Sequence, residues 1–439
     1  MIFNLAPVRS VRRRTRGSAL IVTSVIAALI GISLQSYLSF VAAQNRSVVR
    51  SLAWTSAIPI LEAGIEEALV HVNNNLSSTN WAVDGWVQSG VTFTKRRQLS
   101  EGYYSVIISN QMPPTIFASG FAPLPLATSE YVSRSAVVTT MKDGMFMKAM
   151  VAKGTINMNG NNIRTDSFDS GNPLYSTNGQ YTASKAKDNG DVATNSGLAN
   201  SLNVGNANVF GRVATGPGGS ISIGANGSVG SKAWQAAGNT GIQTGWSAND
   251  MNVSFPDISA PFSGGYSTPT RGEVDDVDYT YVLSSGNYQL ASLRLTGSDK
   301  VLVRGNAVLY VTGNLDMAGQ SQIIVRTNST LKLYVGGASA SIGGNGVANQ
   351  AGNASAFSYW GLPSNTSLSM SGTAGFVGSV YAPSASFTLG GGGRDTFDFI
   401  GASVTGTVTF NGHYSFHYDE MLGRTGASRG YVVTSWNEI

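Results

Sequence analysis

Ala307-Val308-Leu309-Tyr310-Val311-Thr312-Gly313-Asn314-Leu315, then Gln322-Ile323-Ile324-Val325, then Leu331-Lys332-Leu333-Tyr334-Val335-Gly336, decide how this chain is to be read. Each segment is a short apolar alternation closed by turn residues. A period of two marks strand, and Gly and Asn at the closures accept the left-handed backbone of a tight corner. The pattern runs outward both ways. Upstream stand Gly154-Thr155-Ile156-Asn157-Met158, Ser201-Leu202-Asn203-Val204 and Ser220-Ile221-Ser222-Ile223. Downstream stand Leu368-Ser369-Met370, Ser386-Phe387-Thr388-Leu389 and Val404-Thr405-Gly406-Thr407-Val408-Thr409-Phe410. Closures near Gly319, Gly343, Gly372, Gly390 and Gly412 recur at irregular intervals of roughly 20 residues. One such turn of chain cannot bury its own apolar face, so successive turns must stack and complete each other's core. The fold expected is mainly β: a right-handed parallel β-helix over 152–439 with a C-terminal cap. An antiparallel sandwich competes, but calls for tighter hairpin signals and stricter polar alternation.

Residues 76–151 read as a mixed α+β region. Tyr103-Tyr104-Ser105-Val106-Ile107-Ile108 and Tyr131 to Thr140 have strand character, and Asp143-Gly144 before Phe146 to Val151 is a hairpin-favouring pair. Further upstream, Pro59, Leu61, Ile65, Leu69 and Val72 form an apolar stripe at helical spacing, with Glu62, Glu66 and Glu67 off it.

At the other extreme, Arg12, Arg13, Arg14 and Arg16 close a basic leader over 1–17, and no charged side chain lies between Gly17 and Asn45. At about 1.5 Å per residue this apolar run is long enough to cross a bilayer. The arginines fix topology, staying cytoplasmic while the remainder is exported. A cleaved secretory signal, with Val41-Ala42-Ala43 before the cut, is one reading of the segment. Its apolar run exceeds the roughly 7–15 residues of a signal core. A plain membrane anchor is another.

Arg16-Gly17-Ser18-Ala19-Leu20-Ile21-Val22, followed by Leu61-Glu62-Ala63-Gly64-Ile65-Glu66-Glu67-Ala68-Leu69, resembles the PilX-type minor pilins. That resemblance implies a transmembrane and assembly helix over 18–75, cut between Gly17 and Ser18 by prepilin peptidase. Leu20, Ile21, Val22, Ile26, Leu29, Ile32 and Leu38 would then pack in the membrane or against other pilin-like subunits. Major pilins carry a glutamate where this chain has Val22, which favours a minor or tip position, or a protein that never polymerises. A second resemblance, over Gly305 to His417, is to the uncharacterised β-helical DUF7305 domain. It rests on Leu333-Tyr334-Val335, Gly378-Ser379-Val380-Tyr381-Ala382-Pro383, Gly401-Ala402-Ser403-Val404 and Phe416-His417-Tyr418-Asp419-Glu420, with Ser435-Trp436-Asn437-Glu438 ending the chain in a similar way. It implies architecture and no activity.

Composition agrees with an exported β-rich body. Charged residues are 12% of the chain, and 53 of 439 residues are glycine, well above the usual share of about 7%. The net charge of +4 is largely the leader's arginines, so no basic stripe is left for nucleic acid. With no cysteine, disulfides and thiolate metal sites are excluded.

Candidate chemistry is sparse. His413 and His417, beside Tyr418, Asp419 and Glu420, offer a metal or acid–base group; the competing reading makes Phe416 to Leu422 a cap on the last coil. Asp275, Asp276 and Asp278 are the densest acidic spot and Asp166 with Asp169 the second. With Arg271, Arg294 or Arg304 they are the only candidates for a Ca²⁺-assisted polysaccharide lyase, and neither has a recognisable ligand spacing. Gly216-Pro217-Gly218-Gly219 and Gly390 to Gly393 lack the Lys-Ser/Thr of a phosphate loop. Trp234, Trp246 and Trp360 are candidates to stack on sugars if exposed. No catalytic residue, metal site or cofactor is assigned. The expectation is a non-enzymatic, single-pass bacterial inner-membrane protein with an extracytoplasmic body, acting in assembly or adhesion at the surface or in a pilus. Its partners would be the membrane, pilin-like subunits, prepilin peptidase and an extracellular polysaccharide. The alternative is a tethered or secreted β-helix lyase or hydrolase.

Overall fold

The computed structural model describes residues 16–75, 81–125, 127–160, 162–371, 375–390, 397–411 and 413–439. Arg12, Arg13, Arg14, Gly372, Gly412 and the 391–393 glycines lie outside them. The chain is mainly β with one long apolar N-terminal helix, and divides into two compact units: Met1–Met141 with Tyr431–Ile439, and Lys142–Gly430. The second therefore interrupts the first, and the chain's last residues belong with its beginning, not with the preceding coils.

In the first unit, the helix Arg16–Asn74 has two unlike halves. Every residue from Ala19 to Val48 is exposed, including Leu20, Ile21, Val25, Leu29, Ile32 and Phe40. From Ala53 on, one stripe is buried: Ala53, Ala57, Ile60, Leu61, Ile65, Ala68 and Val72. Leu69 lies at its margin, and Pro59 is on the exposed side. This stripe packs with Tyr104, Val106, Ile108, Ile116, Ala118, Ala136 and Val138 of a six-stranded sheet. The sheet runs Val87–Ser89, Thr92–Leu99, Gly102–Ser109, Thr115–Leu124, Ala127–Gly144 and Ser428–Glu438 in spatial order, with the first five strands antiparallel. Gly120 sets the approach distance, since a Cβ there would lie 2.4 Å from the Ala57 carbonyl oxygen and 2.5 Å from the Leu61 nitrogen. Only glycine lets helix and strand backbones touch in this way. At the helix end, His71 Nε2 lies 2.9 Å from the Trp81 carbonyl oxygen while its ring stacks on Trp86.

The second unit is built from three ladders of parallel strands, visited in repeating order. One circuit is Gly286–Leu290 in the first ladder, Leu293–Leu295 in the second and Lys300–Val303 in the third. The next is Asn306–Val311, Leu315–Met317 and Gln322–Val325, each strand parallel to its predecessor. Inward residues (Leu309, Leu333, Tyr359, Val380 in the first ladder; Leu315, Ala340, Leu368, Phe387 in the second) form one continuous core. Phe376, Phe399 and Phe416 stack on successive turns, with centroids 4.6 and 4.2 Å apart. Later circuits pass from third to first ladder without a loop. Gly401, at φ +142°, makes that corner against Gly378, and a Cβ on Gly401 would fall 1.8 Å from the Gly378 carbonyl oxygen.

The coils do not stack in chain order. Strand Phe397–Phe410, near the end of the unit, pairs in parallel with Met150–Ala152 and Ile156–Asn157 at its beginning, and Tyr414–Asp419 pairs with Arg164–Phe168. Spatially the stack runs from 286 up to 419 and then from 150 up to 248. A segment following Ala248 returns along the first ladder. The Met251 N–H donates to Thr215 O, Asn195 exchanges two bonds with Val253, Tyr381 OH donates to Pro256 O, Phe262 packs edge-on to Tyr310, and Ser267 pairs with the strand at Tyr288. This strap crosses eight strand spacings, about 38 Å, a distance its length covers without being fully stretched. Three expectations change as a result. Phe416 to Leu422 does not cap the last coil: strand Tyr414–Asp419 has a neighbour on each side. Asp143-Gly144 makes no hairpin; the chain turns there into the parallel strand Met150–Ala152. The terminal Ser435 to Glu438 segment joins the first sheet, where Glu438 pairs with Arg134.

The second ladder's outward face is uniform. Across successive coils the outward pairs are Ser339/Ser341, Ser367/Ser369, Ser386/Thr388 and Thr407/Thr409, continuing through Thr155/Asn157, Asn203 beside the buried Ser201, and Ser220/Ser222.

Candidate functional site

Two features stand out. The first is the helix half from Ala19 to Val48. Leu20, Ile21, Val22, Ile26, Leu29, Ile32 and Leu38, the residues expected to enter a membrane or assembly, are all about half exposed or more. The apolar surface runs all round the helix, which suits lipid or a fully apolar packing environment rather than one face of a soluble core. It is long and apolar enough to cross a membrane. Gly17 and Ser18 lie within the helix as it begins at Arg16.

The second is the seam where the two runs of coils meet. His417 and Asp166, 251 residues apart, become cross-strand partners, with His417 Nδ1 2.5 Å from Asp166 Oδ1. Asp166 is fully buried and saturated: its other oxygen accepts from Tyr181 OH at 2.9 Å and from Arg164 Nη2 at 2.9 Å. The Tyr181 ring lies 3.6 Å over His417. Asp398 Oδ1 faces His417 Nε2 at 3.4 Å. Burial pushes the His417 pKa down, but Asp166 and Asp398 together outweigh it, so the net shift is upward. Burial likewise raises the Tyr181 hydroxyl, helped by Asp166.

Around this core, Lys187 Nζ reaches Glu420 at 2.5 Å, Ser167 Oγ and Asn189 Nδ2 donate to Glu420, and Arg424 Nη2 donates to Asp169 at 2.6 Å. Asp419 takes backbone N–H bonds from Ser170 and Met421 on one oxygen, while its other is buried without a partner; burial raises its pKa. The two ends of the unit are clasped as well, by the bidentate Arg429–Asp143 pair at 2.8 Å and the Met145 N–H to Ala427 O bond. In a chain so poor in charge, ion pairs gather where non-consecutive coils must find one another. Every strong hydrogen-bonding position of Asp166 is taken by protein, leaving it a positioning group. Among the described residues, no three His, Asp or Glu side chains are arranged to hold a metal ion.

The other candidates scatter. Asp275 and Asp276, both at positive φ, form the tip of the hairpin Thr270–Val274/Val277–Leu283, and Asp278 follows in its second strand. The exposed Asp275 pairs with the partly buried Arg326. Arg304 instead bonds Ser284, Arg294 stands 3.9 Å from Asp316, and Arg271 acts on Asp299. His413 Nδ1 lies 3.3 Å from Asn162 Nδ2, away from His417. Trp360 stacks on Tyr334 and is 8% exposed, so it offers no free sugar platform. Trp234 and Trp246 are half-buried. Sequence inspection singled out His417 and Asp166 separately, but Tyr181, Arg164, Lys187 and Arg424 carry no local signal.

Comparison with known proteins adds architecture. Residues 259–425 match the sequence model of a family described as a domain of unknown function, DUF7305. The match takes in the end of the return strap, the hairpin and the coils up to the seam, and none of the coils between 150 and 248. No curated protein shows significant similarity to the chain. Among solved structures, the competence-associated pilin ComZ from Thermus thermophilus aligns over 88% of this chain and 98% of its own, at 11% identity and a TM-score of 0.26, a level at which the likeness carries no argument.

Proposed function

We propose that this protein is a membrane-anchored, pilin-like envelope protein that displays a rigid β body for assembly or adhesion. The carrying observation is the change of character along one helix, bare as far as Val48 and predominantly apolar all round as far as Ala43, then docked on an antiparallel sheet from Ala53. In this reading the bare half lies in the bilayer, or in the core of a filament once prepilin peptidase has freed Ser18. Arg12, Arg13, Arg14 and Arg16 hold the leader in the cytoplasm. The three ladders are read as the faces of a right-handed parallel β-helix, because crossovers between parallel strands are right-handed in nearly all proteins. The function is non-enzymatic: the one buried His–Asp pair is saturated by neighbouring side chains.

Mass spectrometry of the mature N-terminus in membrane and surface fractions tests this. A chain beginning at Ser18 supports prepilin-type processing, and an intact leader supports a plain anchor carrying the same body. A soluble protein beginning at Gln44 refutes both and returns weight to a secreted polysaccharide-acting enzyme.

A further inference from the structure

The outward face of the second ladder is the most regular surface of the molecule. On every coil between Ser339 and Ser222 the two positions of this face hold Ser, Thr or Asn, all at least partly exposed except the buried Ser201, and alternate with buried residues such as Leu368, Phe387, Val408 and Ile156. No charged or aromatic side chain interrupts those positions. Register places equivalent oxygens about 4.8 Å apart from coil to coil and about 6.7 Å apart along each strand. The hydroxyls on the coils from Ser339 to Thr409 make no hydrogen bond within the described chain, whereas the buried hydroxyls of Thr405, beside the face, and Ser201, within it, are used internally.

Charge and size limit what such a face can hold. A neutral array does not complement an ionic polymer. At roughly 29 Å by 10 Å it offers about 300 Å², well short of the ~800 Å² per partner of a stable protein complex. Sugar rings are held mainly by stacking on aromatic faces, which are absent here. Isolated exposed hydroxyls exchange one water partner for another with little gain, so a flexible solute would not be retained. A rigid lattice that already presents oxygens in flat rows at matching spacing is different, because many weak contacts form together with no further ordering of either partner. Hexagonal ice presents water oxygens in such rows, and the methyls of Thr388, Thr407 and Thr409 add apolar groups between the hydroxyls. We propose that this face is an ice-binding surface, its ligand being crystalline water. The proposal does not depend on the anchoring reading and survives its failure.

The test is partition into slowly grown ice, using the full chain in lipid nanodiscs with empty nanodiscs as the blank. Wild type is expected to be enriched several-fold in the ice fraction over the blank. Ser369→Tyr and Thr388→Tyr, which raise a bulky ring from the flat face, should return it to blank level. Lys332→Tyr, on an exposed position of the first ladder, should leave it enriched. Thermal melts of all four proteins establish that the variants are folded; should either face variant melt early, Thr388→Val and Ser369→Ala, which keep bulk and remove hydroxyls, take its place and are expected to weaken enrichment. Exclusion of wild type from ice overturns the proposal. So does enrichment that the face variants leave unchanged, or capture by microcrystalline cellulose or chitin without capture by ice.

Discussion

Asp166→Asn is the sharpest probe of the seam. The substitution keeps shape, so it opens no cavity. One oxygen that accepts from His417, or from Tyr181 and Arg164, becomes an NH₂ facing donors, and a protonated His417 loses its buried partner. Asp166 is wholly buried and the His417 side chain is 4% exposed, so solvent does not soften the loss. Removing one member of such a pair typically costs about 3–5 kcal/mol. At roughly 2 °C per kcal/mol for a unit of this size, the melting temperature should fall by about 6–10 °C. Hydrogen exchange should localise the damage: amides of 150–168 and 397–419 should exchange faster, while those of 306–361 keep their protection. Combining Asp166→Asn with His417→Gln should cost less than the sum of the two single changes, because they share one interaction. A fall below about 2 °C, or acceleration spread evenly along the stack, would refute the idea that side-chain charge rather than ladder pairing selects this junction.

Further outcomes follow from the same geometry. The His417 pKa lies above its unfolded value, so its stabilising contribution is full below about pH 6.5 and is lost as pH rises through the folded pKa. The raised Asp419 pKa acts in the same direction over the interval between its unfolded and folded values, since its buried carboxylate is a burden only when ionised. Melting of the second unit should therefore rise from pH 8 to pH 6, and His417→Gln should flatten that slope. Residues 142–430 expressed alone should fold cooperatively in the absence of membrane or detergent, by circular dichroism and denaturant titration, because both ends are clasped within the unit. Gly120→Val should lower the stability of the first unit by several kcal/mol, by forcing the helix off the sheet at Ala57 and Leu61; tryptophan emission from Trp81 and Trp86 reads the change.

Much of this was legible in the sequence, and the limits have physical causes. The apolar run after Arg16 and the stripe through Leu61, Ile65 and Val72 follow from helical periodicity alone. The alternations at Ala307 to Val311 and Leu331 to Val335 are local, and they become parallel strands. The order of the coils was not legible. Val404 lies beside Val151 at the same spacing, and on the same strap-covered face, as beside Tyr381, so nothing local distinguishes a chain neighbour from one some 250 residues away. The seam is selected by His417, Asp166 and the surrounding ion pairs, each an unremarkable polar residue until paired. Whether Trp360 is exposed was not legible either, because what covers the first ladder is a strap with no regular secondary structure. Its alternation of Val253, Phe255 and Ile258 is too short to announce its destination.

The permuted stack also sets an order of events during synthesis. The strands at Met150, Ile156 and Arg164 leave the ribosome early, yet the neighbours that cover one of their edges lie beyond residue 396. Until those arrive, the growing chain carries three open strand edges and a half-built core, the features that invite pairing with other chains. If the protein is exported, it makes that crossing with its centre laid down first and closed last. That interval of open edges ends when His417 reaches Asp166.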